Sequence, residues 1–231
     1  MAAQQHPVDM RPAITVLQLD THFPRIAGDV GCAQSYALPM EVIRVPSATV
    51  QNVVSDRPDL VDIAPFEDAL RQARGAVVVT SCGFLSYWQS HLQSLTSQVL
   101  ICSALGALDR LAVGFTPDQL MIVTFDAAKL TPVHLGEQSA FQTSIVGLRP
   151  EHHLRAVIEG NTSGLDAGQA QAELVDLVQK HQTPAHRHIL FECTNLPPYR
   201  AAVMAATGLP VTDIMSEIAG VHPNAVAPSW R

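Results

Sequence analysis

Short apolar runs at residues 14–19, 41–45, 76–80, 99–102, 120–125, 144–148 and 188–192 alternate with segments of helical period. Runs of that length, rich in Val, Ile and Leu, read as strands buried on both faces. Strands separated by helices are joined as parallel crossovers. The chain is therefore expected to be α/β, with mainly parallel sheets flanked by helices. The intervening segments agree: residues 65–74 open on Pro65 and place Phe66, Ala69, Leu70 and Ala73 at helical spacing. Leu85, Trp88, Leu92 and Leu95 form a second stripe, and Ala172, Leu174, Val175, Leu177 and Val178 belong to a third helix that opens near Asp166.

The pattern occurs twice. A strand ending at Asp20 precedes Cys82, and a strand ending at Asp126 precedes Cys193 at nearly the same distance. Each cysteine is followed by a large apolar residue (Leu85 or Leu196), an aromatic (Tyr87 or Tyr199), a helix and a short strand opening on Val99 or Val211. Two pseudosymmetric lobes are expected, residues 1–105 and 106–212, with 213–231 a tail returning to the first lobe. Residues 21–39 lack either period and carry Pro24, Gly28, Gly31 and Pro39, as a loop covering the cleft would.

Composition excludes several classes. A formal net charge of −7, with only 14 Lys and Arg and no basic block, argues against nucleic acid as a partner. No apolar stretch reaches the length of a membrane span, and residues 1–14 have no apolar core of a secretory signal. The four cysteines fit neither a disulfide framework nor a zinc site, so a cytoplasmic protein with free thiols is expected. No metal is expected, since His186 and His188 share a strand face without further ligands at local spacing. The only lysines, Lys129 and Lys180, lack a phosphate loop, which disfavours pyridoxal phosphate, and no nucleotide or serine-hydrolase motif occurs.

The chemistry is expected at the two thiols. The carboxyl ends of strands are where open α/β sheets bind ligands, and helix N-termini there stabilise thiolates and carboxylates. A thiolate on one side of a carbon and a thiol on the other can remove and return a proton. Either cysteine alone would be explained as a small hydrophobe at a strand end; the pair in repeated positions points to function. Ser81, Gly83, Thr194 and Asn195 offer hydroxyl, amide and backbone donors to a substrate carboxylate, and serve equally as helix caps. Asp20 reads either as a recogniser of a substrate ammonium or as ordinary turn chemistry. Glu192 sits beside Cys193, and strand alternation points it away from the thiol.

The runs Thr80-Ser81-Cys82-Gly83-Phe84-Leu85, Glu192-Cys193-Thr194-Asn195-Leu196-Pro197-Pro198-Tyr199 and Leu19-Asp20-Thr21-His22-Phe23-Pro24-Arg25 resemble the aspartate/glutamate racemase superfamily over nearly the whole chain. The resemblance implies two pseudosymmetric α/β lobes with the active site between them, no cofactor, a homodimer, and Cys82 and Cys193 as the acid/base pair. Ser81, Gly83, Phe84, Thr194, Asn195 and Asp20 would then bind a small carboxylate substrate. It implies an isomerase, a cofactor-independent racemase of an aspartate- or glutamate-like amino acid. The residues after each cysteine depart from glutamate racemases, where Asn-Thr and Thr-His stand in place of Gly83-Phe84 and Thr194-Asn195. Maleate isomerases, hydantoin racemases and arylmalonate decarboxylases are the alternatives within the superfamily, and a non-catalytic carboxylate-binding protein is the alternative outside enzymes.

Overall fold

The computed structural model describes residues 11–231 of the chain. The reading of residues 1–14 as free of a secretory signal lies, for its first ten positions, outside the described residues. The strands are β1 (Ile14–Leu19), β2 (Met40–Val45), β3 (Val77–Thr80), β4 (Val99–Ile101), β5 (Leu120–Thr124), β6 (Ile145–Gly147), β7 (His188–Phe191) and β8 (Val211–Thr212). They form two four-stranded sheets of order β2-β1-β3-β4 and β6-β5-β7-β8, every neighbouring pair parallel. The second order repeats the first with each strand number advanced by four. This is the expected two-lobed α/β fold.

Central position explains composition. β1, β3 and β5 are buried along their whole length, and their mainly apolar sequences leave no solvent face. Edge strand β2 alternates half-buried with exposed residues over most of its length, including the exposed Val42. Helices cover the sheets. Asp166 caps the helix Ala167–His181 by accepting from the Gln169 N–H at 2.9 Å, and Ala170, Leu174, Leu177 and Val178 form its buried stripe. The Leu85 stripe differs from expectation: it is a 3-10 helix, Gly83–Trp88, followed by a short α-helix, Gln89–Gln93. Gln89 accepts from Cys102 N–H and donates to Leu100 O, so this segment is held to β4 by a side chain as well as by packing.

The segment 21–39 is ordered from within. Ser35 Oγ donates to Asp29 O and accepts from Gly28 N–H, and the Tyr36 hydroxyl donates to Val30 O. Gly28 has φ of +102°, where a Cβ would also meet Pro198. The segment is tied to the other lobe by Asn161, whose Oδ1 accepts from His22 N–H at 2.6 Å and Phe23 N–H at 3.2 Å. The closing helix Ile214–Val221 packs on β4, and Tyr36 and Val226 form an antiparallel bridge. Among the described residues no helix is long and apolar enough to cross a membrane.

Candidate active site

The thiols leave the same strand of each sheet, Cys82 just beyond β3 and Cys193 beyond β7. Each turn is anchored to the central strand beside it. Ser81 Oγ accepts from the Leu19 N–H at 3.0 Å, and Glu192 Oε2 accepts from Thr124 Oγ1 at 2.6 Å. The turns are also stitched to each other, since Thr194 Oγ1 donates to Ser81 O at 2.7 Å across the two lobes. Both thiols are buried, at 7% and 6% exposure, and both line one small cavity.

The cavity walls come from both lobes. Ser81, Gly83, Phe84, Thr194 and Asn195, the residues expected to bind substrate, all line it. Their polar groups are largely committed. The Thr194 hydroxyl is bonded to Ser81 O, and Asn195 Nδ2 donates to Asp29 Oδ2 at 2.6 Å while its Oδ1 accepts from the Cys193 thiol at 3.7 Å. Asp20 is not among the lining residues: its carboxylate is partly exposed and lies 3.8 Å from Arg44. The acidic residue that reaches the site region is Asp29, nine positions later in the same loop, because the chain folds back there through Gly28 and Gly31.

Sequence reasoning missed Arg25, Phe23 and Phe125. Arg25 lines the cavity with its guanidinium bonded to Asp29 at 2.9 Å and to Thr21 Oγ1, 4.7 Å above the Phe23 ring. Its one available signal was a lone arginine in an otherwise apolar turn of an acidic chain. Glu192 was misdirected. β7 ends at Phe191, so alternation no longer governs the next residue, and the Glu192 side chain turns into the cavity wall. It comes to rest against Gly83, where a Cβ would collide with Oε1 and with the Glu192 carbonyl oxygen.

The electrostatics oppose the expected easy ionisation. Burial first, and then the Glu192 carboxylate, push Cys82 up to about 12, against the Phe84 N–H and Arg25, which favour its thiolate. Burial and Glu192 likewise hold Cys193 well above an ordinary thiol, with Cys82 and Asp29 adding to them and only the Asn195 N–H opposing. Helix N-termini give less help than expected because 3-10 turns follow both cysteines, and after Cys193 the turn Pro197–Tyr199 intervenes before the helix Arg200–Thr207. Burial raises Glu192 itself to about 7 despite the bond from Thr124. Among the described residues no group of three or more His, Cys, Asp and Glu side chains is placed to hold a metal ion.

No family model matches the chain. It is 30% identical over 218 residues to a dimethylsulfoniopropionate lyase of Durusdinium sp. clade D, covering 87% of this chain and 71% of that one. Dimethylsulfoniopropionate lyase 3 of Emiliania huxleyi (strain CCMP1516) is 32% identical over 220 residues, 87% of this chain and 57% of its own length. Among solved structures, a variant of arylmalonate decarboxylase with associated sulfate aligns with a TM-score of 0.58 at 18% identity, over 94% of this chain and 97% of that one. Allantoin racemase from Klebsiella pneumoniae aligns at 0.57 and 15% identity, over 93% and 89%. The fold is thus that of the racemase-like two-lobed enzymes, whereas the sequence relatives are lyases. They overturn the expectation of an isomerase racemising aspartate- or glutamate-like amino acids. The physical reason is that thiols flanking a carbon specify deprotonation next to a carboxylate, whereas the fate of the resulting carbanion depends on the substituent one carbon further on.

Proposed function

We propose that this chain, which belongs to the dimethylsulfoniopropionate lyase family, cleaves dimethylsulfoniopropionate into dimethyl sulfide and acrylate by β-elimination. The observation that carries the reading is a small cavity holding two buried thiols, lined by apolar and aromatic side chains and one arginine. The substrate class is a short carboxylate with a proton on the carbon beside the carboxyl group and a sulfonium on the next. Removing that proton places charge on the carboxylate as an enolate. The electron pair then forms the double bond and expels neutral dimethyl sulfide.

Elimination needs one base. Cys82 is the easier thiol to ionise, since Arg25 favours its thiolate while Asp29 and Cys82 both act against Cys193. Cys82 is the base, and the Cys193 thiol on the opposite wall donates toward the developing enolate. The Arg25 guanidinium supplies positive potential for the substrate carboxylate, and the faces of Phe23, Phe84 and Phe125 suit the sulfonium, as aromatic faces suit other soft cations. Charge balance agrees: a zwitterionic substrate enters a site that holds both a fixed cation and a titratable acid.

The test is gas-phase detection of dimethyl sulfide, with acrylate measured in the same vial, from the purified reduced protein given dimethylsulfoniopropionate. Equal amounts of both products are expected, with Cys82→Ser and Cys193→Ser each lowering the rate by about 10²–10⁴-fold. Neither product from folded protein, or full activity in either variant, would overturn the reading.

A further inference from the structure

Glu192 has no exposed surface, yet only one of its carboxyl oxygens is used. Oε2 takes the Thr124 hydroxyl bond; Oε1 has no partner among the described residues and lies against Gly83, the residue that follows Cys82. The same carboxyl belongs to the residue that precedes Cys193. It therefore touches the turns of both thiols from within the cavity wall. A buried carboxylate with an idle oxygen is costly, and so is a buried thiolate. Groups so close hold one negative charge far more readily than two, and they titrate as a set.

We propose that Glu192 and the two thiols form one ionising unit, in which the carboxyl receives the thiol proton as the thiolate forms and releases that proton to water after the thiol has been restored by the proton taken from the substrate. In the resting enzyme the single charge is on Glu192. Activation breaks the S–H bond and makes an O–H bond at Oε1, with the charge moving to sulfur. The thiolate then takes the substrate proton, S–H re-forms, and Glu192 gives its own proton to water once products leave. The overall elimination liberates one proton, and this is its exit. Glu192 acts through the thiols and does not touch the bond being broken.

The groups facing this unit are few. Thr124 lies on the Oε2 side, Arg25 acts on Cys82, and Asp29 acts on Cys193. The Tyr199 phenol, raised to about 12 by burial, then by Asp29 and Cys193, stays neutral. Burial has moved Glu192 itself to about 7.

The decisive measurement is the rate of iodoacetamide alkylation at Cys82 and Cys193, located by mass spectrometry, as a function of pH. It uses no substrate, so it stands apart from the lyase reading on which the catalytic role rests. The native protein is expected to gain reactivity in two steps, the first with a midpoint near 7. Glu192→Gln is expected to remove that step and leave one rise at higher pH. The acid limb of kcat/KM for dimethyl sulfide release is expected to move up by about one pH unit or more in the same variant. Thr124→Val, which removes the one donor favouring the carboxylate, is expected to raise the first midpoint, and it carries the test should Glu192→Gln fail to fold. An alkylation profile with the same midpoints in the native protein and the variants would overturn the proposal.

Discussion

The two thiol turns occupy equivalent places in the two sheets and are built differently. Before Cys82 stands Ser81, whose hydroxyl serves the Leu19 N–H of its own lobe; before Cys193 stands Glu192, whose carboxyl serves the Thr124 hydroxyl of its own lobe and still has an oxygen to spare. After Cys82 comes Gly83, with no side chain; after Cys193 comes Thr194, which reaches across to Ser81 O. The small residue of one turn makes room for the large residue of the other. A repeated scaffold has thus been differentiated so that one half contributes a void and a carbonyl, and the other fills both.

The largest effect should come from the charge that separates the turns. Glu192 is raised in the folded protein from 4.5 to about 7, so the folded state binds its proton more tightly than the unfolded chain. Stability from this group is fully present below pH 4.5, declines as pH rises toward 7, and is lost above it. The loss is about 3 kcal/mol. Urea melts of the native protein and Glu192→Gln at pH 5 and pH 8 check this: the native protein should lose stability relative to the variant between the two. Equal pH dependence would show that the asymmetry is one of shape alone.

Gly83→Ala tests the shape. The added methyl meets both the carboxyl and the backbone of Glu192, so a destabilisation of about 1–3 kcal/mol is expected from forced displacement. Glu192→Ser makes the second turn resemble the first, and the double variant should recover part of the loss, because residues in contact do not add. Additive effects in thermal melts would mean that the two positions are independent.

The smallest effects separate stitching within a lobe from stitching between lobes. Thr194→Val leaves the buried Ser81 carbonyl without its donor, and Ser81→Ala leaves the Leu19 N–H without its acceptor; each should cost about 1–3 kcal/mol of stability. Only Thr194→Val should also lower the rate of dimethyl sulfide release, since it loosens one thiol turn from the other. Equal rate losses in both would erase the distinction.

Much of this was legible in the chain. The alternation of apolar runs with helical stripes marked nearly every strand, because buried parallel strands and amphipathic helices differ in period. The thiols stood out for the same reason, each at the point where one period gives way to the other. Glu192 was not legible, because its direction depends on β7 stopping one residue early. Asp20 stands at a strand end and is visible in the sequence, whereas Asp29 is not, since the path of a loop is decided by contacts such as Ser35 to Asp29 that have no period. The reaction itself was misread as racemisation for a chemical reason. A pair of thiols suggests at most the removal of a proton, and the departing group that distinguishes a lyase from a racemase belongs to the substrate.

Asn161 adds a constraint of another kind. Its backbone is left-handed, with φ of +48°, a conformation that glycine adopts freely and that Asn and Asp tolerate better than other residues. Its side chain suspends the roof of the cavity from the opposite lobe by holding the amides of His22 and Phe23. Glycine would satisfy the backbone and drop the roof, while a longer acceptor would hold the roof and strain the backbone. A surface loop position that looks free to drift is therefore left with almost no substitutes.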